Sequence, residues 1–433
     1  MSISLCMIVK NEEAALPKCL NSVKDFVDEM IVLDTGSSDR TPQIAQEFGA
    51  KVHYFEWSNN FSTARNAALK YVTSDWVLVL DADELLTPSI VPQIKAVMKT
   101  DEYILINLVR QEVGAAQSPY SLVSRLFRNH PEIRFERPYH ALVDDSVAAI
   151  IKKEPHWQVG YLHGLGILHV GYQKAAIAQN NKYVKAQAAM LEFLATHPND
   201  PYVCSKLGAL YVESGKITEG LELLQRGLNQ ATGSANSLNN SGANLKSLPM
   251  NVISVAANTL HPEMMHSEEN YDILYELHYH LGIAHTHLKN PQQALIHYQA
   301  AIKLPIYPML KLGAYNNLGN LLKDAGDLNS AKKAYETALK IDPNFVAGHY
   351  NLGMTFKALG LFMEAISCYQ TAIKLNPYYA EAYQNLGVVQ LKIGNVQASI
   401  TAFKNAIILH EQHNPQEAKR LRQGLYEMGL IKF

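Results

Sequence analysis

Asp81, Asp83 and Glu84 follow directly on the apolar run Trp76-Val77-Leu78-Val79-Leu80. Five apolar residues without polar alternation predict a strand buried on both faces, which puts the three carboxylates at its carboxyl end. In open parallel sheets that edge binds ligands, and two acids flanking one small residue can hold a hard divalent cation that still needs oxygens from a diphosphate. The chemistry indicated is a metal-dependent nucleotide site. The plainer reading of an isolated D-x-D is an acidic turn after a strand, and the surrounding elements decide between the two.

Ser2 to Val9 reads as a strand left through the polar loop Lys10-Asn11-Glu12-Glu13, and Leu16, Cys19, Leu20, Val23 and Val27 recur at helical spacing. Met30 to Leu33 is the next strand, ending in Asp34-Thr35-Gly36-Ser37-Ser38-Asp39-Arg40-Thr41-Pro42. Thr41 as N-cap with Pro42 after it opens a second helix, which Gly49 closes. A third strand from Val52 to Phe55 and a helix from Phe61 to Tyr71 lead into the strand that ends at Asp81. Four strands alternating with three helices predict a parallel, right-handed, doubly wound sheet with Asp34 and Asp81 on one edge. An acid ending the second strand can accept hydrogen bonds from a nucleotide's ribose or base. No G-x-G-x-x-G follows the first strand, and Gly215-Lys216 lacks the upstream spacing of a phosphate loop. The phosphates then need another holder, and a metal on Asp83 is the candidate.

Met1 to about Tyr172 resembles the family-2 glycosyltransferases of the GT-A fold. The matching stretches are Met7-Ile8-Val9-Lys10-Asn11-Glu12-Glu13, Asp34 to Thr41, Ala64-Arg65-Asn66 and Asp81-Ala82-Asp83-Glu84. Arg125-Leu126-Phe127-Arg128-Asn129, Pro138-Tyr139-His140 and Leu168-His169-Val170-Gly171-Tyr172 further resemble the subgroup that joins such a domain to tetratricopeptide repeats. The resemblance implies a nucleotide-sugar donor, UDP-linked, and inversion at the transferred sugar. It also implies that Lys10 and Glu12 belong to the donor site, that Asp34 and Arg65 contact the nucleobase, and that Asp81 meets the ribose or metal and Asp83 the metal. One departure stands out: the subgroup has Glu after the His of Tyr139-His140, and this chain has Ala141.

Glycosyl transfer passes through an oxocarbenium-like state while a nucleoside diphosphate leaves with growing negative charge. A Mn2+ or Mg2+ ion on Asp83 neutralises that charge, with Asp81 and His169 as candidate co-ligands. A base must take the acceptor's proton, and His140, Asp144 and Asp145 are the candidates.

After Tyr172 the strand signals stop. Lys174 to Leu194 is helical, and beyond Pro198 a repeat begins. Leu318-Gly319, Leu352-Gly353 and Leu386-Gly387 recur every 34 residues, as do Gly326, Gly360 and Gly394, and Tyr335, Tyr369 and Phe403. That is the tetratricopeptide pattern, in which small residues let paired helices approach and the aromatic is expected to fill the space between repeats. Leu207-Gly208 and Leu281-Gly282 mark degenerate copies, and Pro415 to Phe433 is a capping helix. Gln230 to Pro249, dense in Asn, Ser and Gly, reads as a flexible segment. His278, His280, His285 and His287 share one helix, where a zinc site competes with ordinary surface positions. Asn317, Asn351 and Asn385 precede the Leu-Gly pairs, and such a row of amides can read the backbone of an extended polypeptide.

The 433 residues therefore divide into an α/β GT-A domain over 1–172 and an all-α tetratricopeptide solenoid over 173–433, with a flexible stretch near 230–249. A net charge of −2 gives no footprint for nucleic acid, four scattered cysteines without C-x-x-C fit a cytoplasmic setting, and no apolar run is long enough to span a membrane. The expected activity is metal-dependent transfer of a sugar to a protein or peptide held by the repeats. The alternative, which Ala141 favours, is an inactive glycosyltransferase-like scaffold that binds a partner through its repeats.

Overall fold

The computed structural model describes residues 1–58, 60–115, 118–137, 141–170, 179–238 and 271–430. The chain forms two compact units, one taking Met1–Ala115, Pro119–Leu207 and a segment from Arg226, the other centred on Gly208–Gln225 and the helices from Tyr271 onward.

In the first unit the strands β1 (Ile3–Val9), β2 (Glu29–Asp34), β3 (Lys51–Tyr54) and β4 (Trp76–Val79) alternate with helices α1 (Leu16–Val23), α2 (Thr41–Glu47) and α3 (Phe61–Leu69). These four strands are parallel, in the order β3-β2-β1-β4. Helices cover both faces: Leu16, Leu20 and Ala45 pack on Leu5 and Met7, and Ala68 packs on Cys6, Ile31 and Val79. The sheet then continues through β5 (Glu84–Leu86), β6 (Tyr103–Glu112), β7 (Tyr120–Arg128) and β8 (Gln158–His169) to the full order β3-β2-β1-β4-β7-β6-β8-β5. The added pairings are antiparallel except β6 with β8. Helix α4 (Val91–Val97) follows β5, and α5 (Asp144–Lys153) precedes β8.

One local expectation changes. Thr41 is the first helical residue of α2 rather than its cap; its hydroxyl accepts the Glu12 backbone N–H at 2.7 Å and donates to Asp39, stitching the loops after β1 and β2 together. Asp144 and Asp145 open α5, a place where carboxylates face the positive end of the helix dipole.

Helices α6 (Gln179–Thr196), α7 (Pro201–Glu213) and α8 (Ile217–Leu238) come next, and the boundary between the two units crosses α7. Helix α8 carries Gln230 to Leu238, the start of the stretch expected to be flexible, and the rest of that stretch lies outside the described residues. The second unit continues with the pairs α9 (Tyr271–His287) and α10 (Pro291–Lys303), α11 (Leu312–Asp324) and α12 (Leu328–Ile341), α13 (Val346–Ala358) and α14 (Phe362–Leu375), α15 (Ala380–Lys392) and α16 (Val396–His413), closed by α17 (Pro415–Glu427).

The geometry explains why glycine and an aromatic recur in register. A Cβ on Gly353 would lie 2.8 Å from Tyr369, and one on Gly387 3.0 Å from Phe403; Gly319 faces Tyr335 and Gly282 faces Tyr298 in the same way. The aromatic thus fills the gap inside a helix pair, against the glycine sixteen residues before it, and not primarily the space between repeats. In the degenerate copy the same offset pairs Gly208 with Leu224, which would approach a Cβ to 2.7 Å. Seven residues beyond each of these glycines the helix ends in a left-handed residue: Gly215, Gly326, Gly360 and Gly394, but Lys289, at φ +54°, in the α9–α10 pair.

Candidate active site

Strand β4 is buried along its length, and Asp81 lies two residues beyond it. Each carboxylate oxygen of Asp81 accepts a guanidinium N–H at 2.7 Å, Oδ1 from Arg65 on α3 and Oδ2 from Arg125 on β7. Burial alone would raise this carboxyl, but the two arginines hold it well below the usual carboxylate range. Arg65 is buried, with its guanidinium 5.4 Å from the Phe135 ring, and its Nη1 has no hydrogen-bond partner in the structure.

Arg125 reaches Asp81 because β7 carries a bulge. Ile106 pairs with Leu126 and Asn107 with Ser124, which leaves Arg125 as the extra residue. Consecutive side chains thereby find separate polar partners, Arg125 on Asp81 and Ser124 on Asp144. Glu84 is fully buried, accepting from Arg110 at 2.9 Å and from the Asp81 backbone N–H at 2.9 Å.

Asp83 has a different environment. Its Oδ2 lies 3.1 Å from His169 Nε2, and His169 Nδ1 is hydrogen-bonded to Glu112, which Arg110 holds at 2.8 Å. Hydrogen bonds to Asp83 and Glu112 push the imidazole pKa up to about 10. A carboxylate on the far nitrogen of a histidine is how proteins orient the near nitrogen toward a metal. Oxygen and nitrogen 3.1 Å apart suit neighbouring vertices of an octahedron with bonds of about 2.1 Å. Among the described residues no three His, Cys, Asp or Glu side chains gather around one point, so Asp83 and His169 would leave most positions on an ion to phosphate and water.

Asp34 ends β2, buried, and its Oδ1 accepts the backbone N–H groups of Gly36 at 2.9 Å and Ser37 at 2.8 Å. Asn11 ties the two loops further, since its Oδ1 accepts from Ser38 N–H at 2.7 Å while its own N–H donates to Ser37 Oγ. Asp144 lies with one oxygen 2.8 Å from Ser124 Oγ and the other buried without a partner, and burial pushes its carboxyl up.

Residues 4–160 match the family model for glycosyl transferase family 2, and residues 319–360, 355–394 and 380–409 match tetratricopeptide-repeat models. A TPR repeat-containing protein of Synechococcus elongatus is 40% identical over 341 residues, covering 79% of this chain and 76% of that one. The chain belongs to the family of tetratricopeptide-repeat proteins that carry a family-2 glycosyltransferase domain. The glycosyltransferase SunS of Bacillus subtilis is 29% identical over 232 residues, 53% of each chain. An uncharacterized glycosyltransferase of Rickettsia felis is 32% identical over 154 residues, 34% of this chain and 54% of its own. No helix among the described residues is long and apolar enough to cross a membrane.

Within the glycosyltransferase domain, Asp34, Arg65, Asp81, Asp83 and His169 all lie where β1, β2, β4 and β8 leave the sheet, as do Lys10, exposed just past β1, and Glu12. Asp81, expected among the metal ligands, instead has both oxygens on arginines. Asp145 is turned away from Asp144 into an ion pair with Arg137. His140 lies outside the described residues. Ala141 packs against the apolar cluster of Val143, Val147 and Ile150. Sequence reasoning assigned no role to Arg110, Glu112, Glu84 or Arg125; only Glu84 and Arg125 fall inside the matched stretches.

In the repeats, each asparagine of the expected row donates to a residue one repeat earlier: Asn317 to Tyr279 OH at 3.5 Å, Asn351 to Asn316 Oδ1 at 2.8 Å and Asn385 to Tyr350 OH at 3.1 Å. The Asn385 side-chain Oδ1 in turn accepts from Lys357 Nζ at 2.6 Å. The histidines also meet partners not foreseen. His278 Nδ1 lies 3.0 Å from His297 Nδ1, and His285 stacks on His297 with ring centroids 5.4 Å apart. Among the described residues these histidines form no group of three ligating side chains that could hold a zinc ion.

Proposed function

We propose that this glycosyltransferase domain moves a sugar from a UDP-linked donor to a polypeptide, with inversion at the anomeric carbon. The observation that carries the reading is the Asp83–His169 pair, oriented by Glu112, beside an Asp81 already neutralised by Arg65 and Arg125. Asp83 and His169 would hold a Mn2+ or Mg2+ ion, which when bound supplies positive charge against the departing diphosphate. The uracil and ribose would lie against the loops that Asp34 and Asn11 organise, with Arg65 at their edge. In the transfer, the bond from the acceptor oxygen to the anomeric carbon forms as the bond from that carbon to the diphosphate breaks. Asp144 takes the acceptor's proton: a carboxyl whose pKa burial has raised is better matched to neutral pH than an ordinary one.

The asparagine row would present its remaining polar capacity, with Lys357, to a peptide backbone. Incubation with a panel of nucleotide sugars and manganese, reading nucleoside diphosphate release, tests the donor half; addition of unfolded polypeptides tests the acceptor half. The second reading, a scaffold without transferase activity, is favoured by Ala141, whose methyl group packs where the subgroup carries a carboxylate. It predicts metal-dependent nucleotide binding with no release from any donor in the panel.

A further inference from the structure

Arg137 has features that neither the fold nor the donor site requires. Its backbone is left-handed, at φ +71°, an uncommon conformation for a residue with a side chain. Its neighbour Glu136 exchanges both backbone hydrogen bonds with Leu142, at 2.8 and 3.2 Å. The Arg137 carbonyl accepts the hydroxyl of Ser62 on α3. Its guanidinium, 10% exposed, pairs with Asp145 on α5 and with Asp200, at 3.2 Å, at the head of α7, and stacks 5.1 Å from the Tyr202 ring. Three parts of the first unit thus meet on one side chain and its carbonyl.

Two of those parts carry the site. Ser62 is one helical turn before Arg65, which holds Asp81, and Asp145 follows Asp144. The helical residues through Leu207 also belong to the compact unit of the sheet rather than to the repeats.

We infer that Arg137 is a positioning residue: it ties the Glu136–Leu142 backbone pair and the first turns of α3 and α5 to the head of α7, so that Asp200 and Tyr202 serve as framework for the glycosyltransferase site. This rests on the reading of Asp144 and Arg65 above, but its physical content is separate from it.

The test uses the full chain and the variants Arg137→Ala, Arg137→Lys, Asp200→Asn and Tyr202→Ala. Amide hydrogen exchange at Glu136 and Leu142 should quicken by about tenfold or more in Arg137→Ala and Asp200→Asn, with β1 and β4 unchanged, and partly recover in Arg137→Lys. Hydrolysis of whichever UDP-sugar the wild type cleaves fastest should show a fall in kcat of about tenfold at nearly constant KM in the same order of variants. Unchanged exchange at Glu136 and Leu142 in folded Arg137→Ala overturns the proposal, and so does a rise spread evenly over the sheet. If the wild type hydrolyses no donor, the functional reading fails while the exchange measurement still decides the role of Arg137.

Discussion

In the sheet unit His169 lies between Asp83 and Glu112, whose hydrogen bonds push its pKa up to about 10; in the helical unit His297 lies against His278 and His285, where burial first and those neighbours second pull it down to about 4. The same side chain is driven in opposite directions because the two units solve different problems. Around Asp81 the fold gathers Asp83, Glu84 and Glu112 with Arg65, Arg110 and Arg125, so that buried charge is compensated pair by pair. Within each repeat pair the close fit rests on shape, a ring against a glycine. A unit of the first kind can respond to an ionic ligand, and one of the second kind specifies geometry.

The widest separation between the two comes from removing a charge at the sheet edge. Asp83→Asn should lower manganese-dependent affinity for a nucleoside diphosphate by more than about 100-fold, with Glu112→Gln costing about 10 to 100-fold through His169. Calorimetry with and without manganese reads both, and unchanged thermal melting shows that the fold is intact. Equal affinity in Asp83→Asn and wild type would remove the ion from this site. Asp144→Asn should leave that affinity alone and lower transfer by about 10² to 10⁴; a change confined to donor binding would return the proton-accepting role to His140.

On the helical side the effects are smaller and appear in stability. Gly353→Ala places a methyl group 2.8 Å from the Tyr369 ring and should cost about 1–3 kcal/mol in urea unfolding of the helical unit, leaving nucleotide affinity unchanged. For the histidines the sign follows from proton uptake. His278, His285 and His297 all have folded pKa values below the ordinary 6.5, so the unfolded chain binds the proton first. Stability of this unit should be full above pH 6.5 and decline toward about pH 4, by about 3 kcal/mol, and His297→Leu should flatten the decline. A profile that stays flat in wild type between those limits would show that the imidazoles are hydrated in the fold. The smallest change is a gain: Lys289→Gly relieves a left-handed lysine and should stabilise by about 1 kcal/mol, visible as a raised Tm.

The same contrast governs what could be read in advance. The parallel half of the sheet was legible because β1, β2 and β4 are continuous apolar runs bounded by polar loops, and the acids that end them mark the edge. The antiparallel half was not, because Tyr120–Arg128 mixes serines and arginines around a bulge, and Gln158–His169 is interrupted by Gly160, Gly164 and Gly166. A site assembled across that boundary was half visible. Asp81 and Asp83 announced themselves, but nothing local reveals that Arg125, forty-four residues on, neutralises one of them, or that Glu112 orients the histidine beside the other. In the repeats the period alone located helices, glycines and aromatics. It did not tell which aromatic meets which glycine, since a 34-residue period is satisfied equally by contacts within a pair and between pairs.

Every helix pair of the array keeps its closest fit to itself: the glycine, the ring sixteen residues later and the left-handed turn between them all belong to one stretch of fewer than forty residues. Other fits cross between pairs, as where Tyr279 of α9 lies against Gly313 of α11, but the repeated lock of ring and glycine is made inside one pair. One copy has Leu224 in place of the ring and another Lys289 in place of the turn glycine, and each keeps the helix pair. The charged edge of the sheet has no such self-contained unit: its parts come from six strands and two helices, and the loss of one leaves its partner's charge uncompensated.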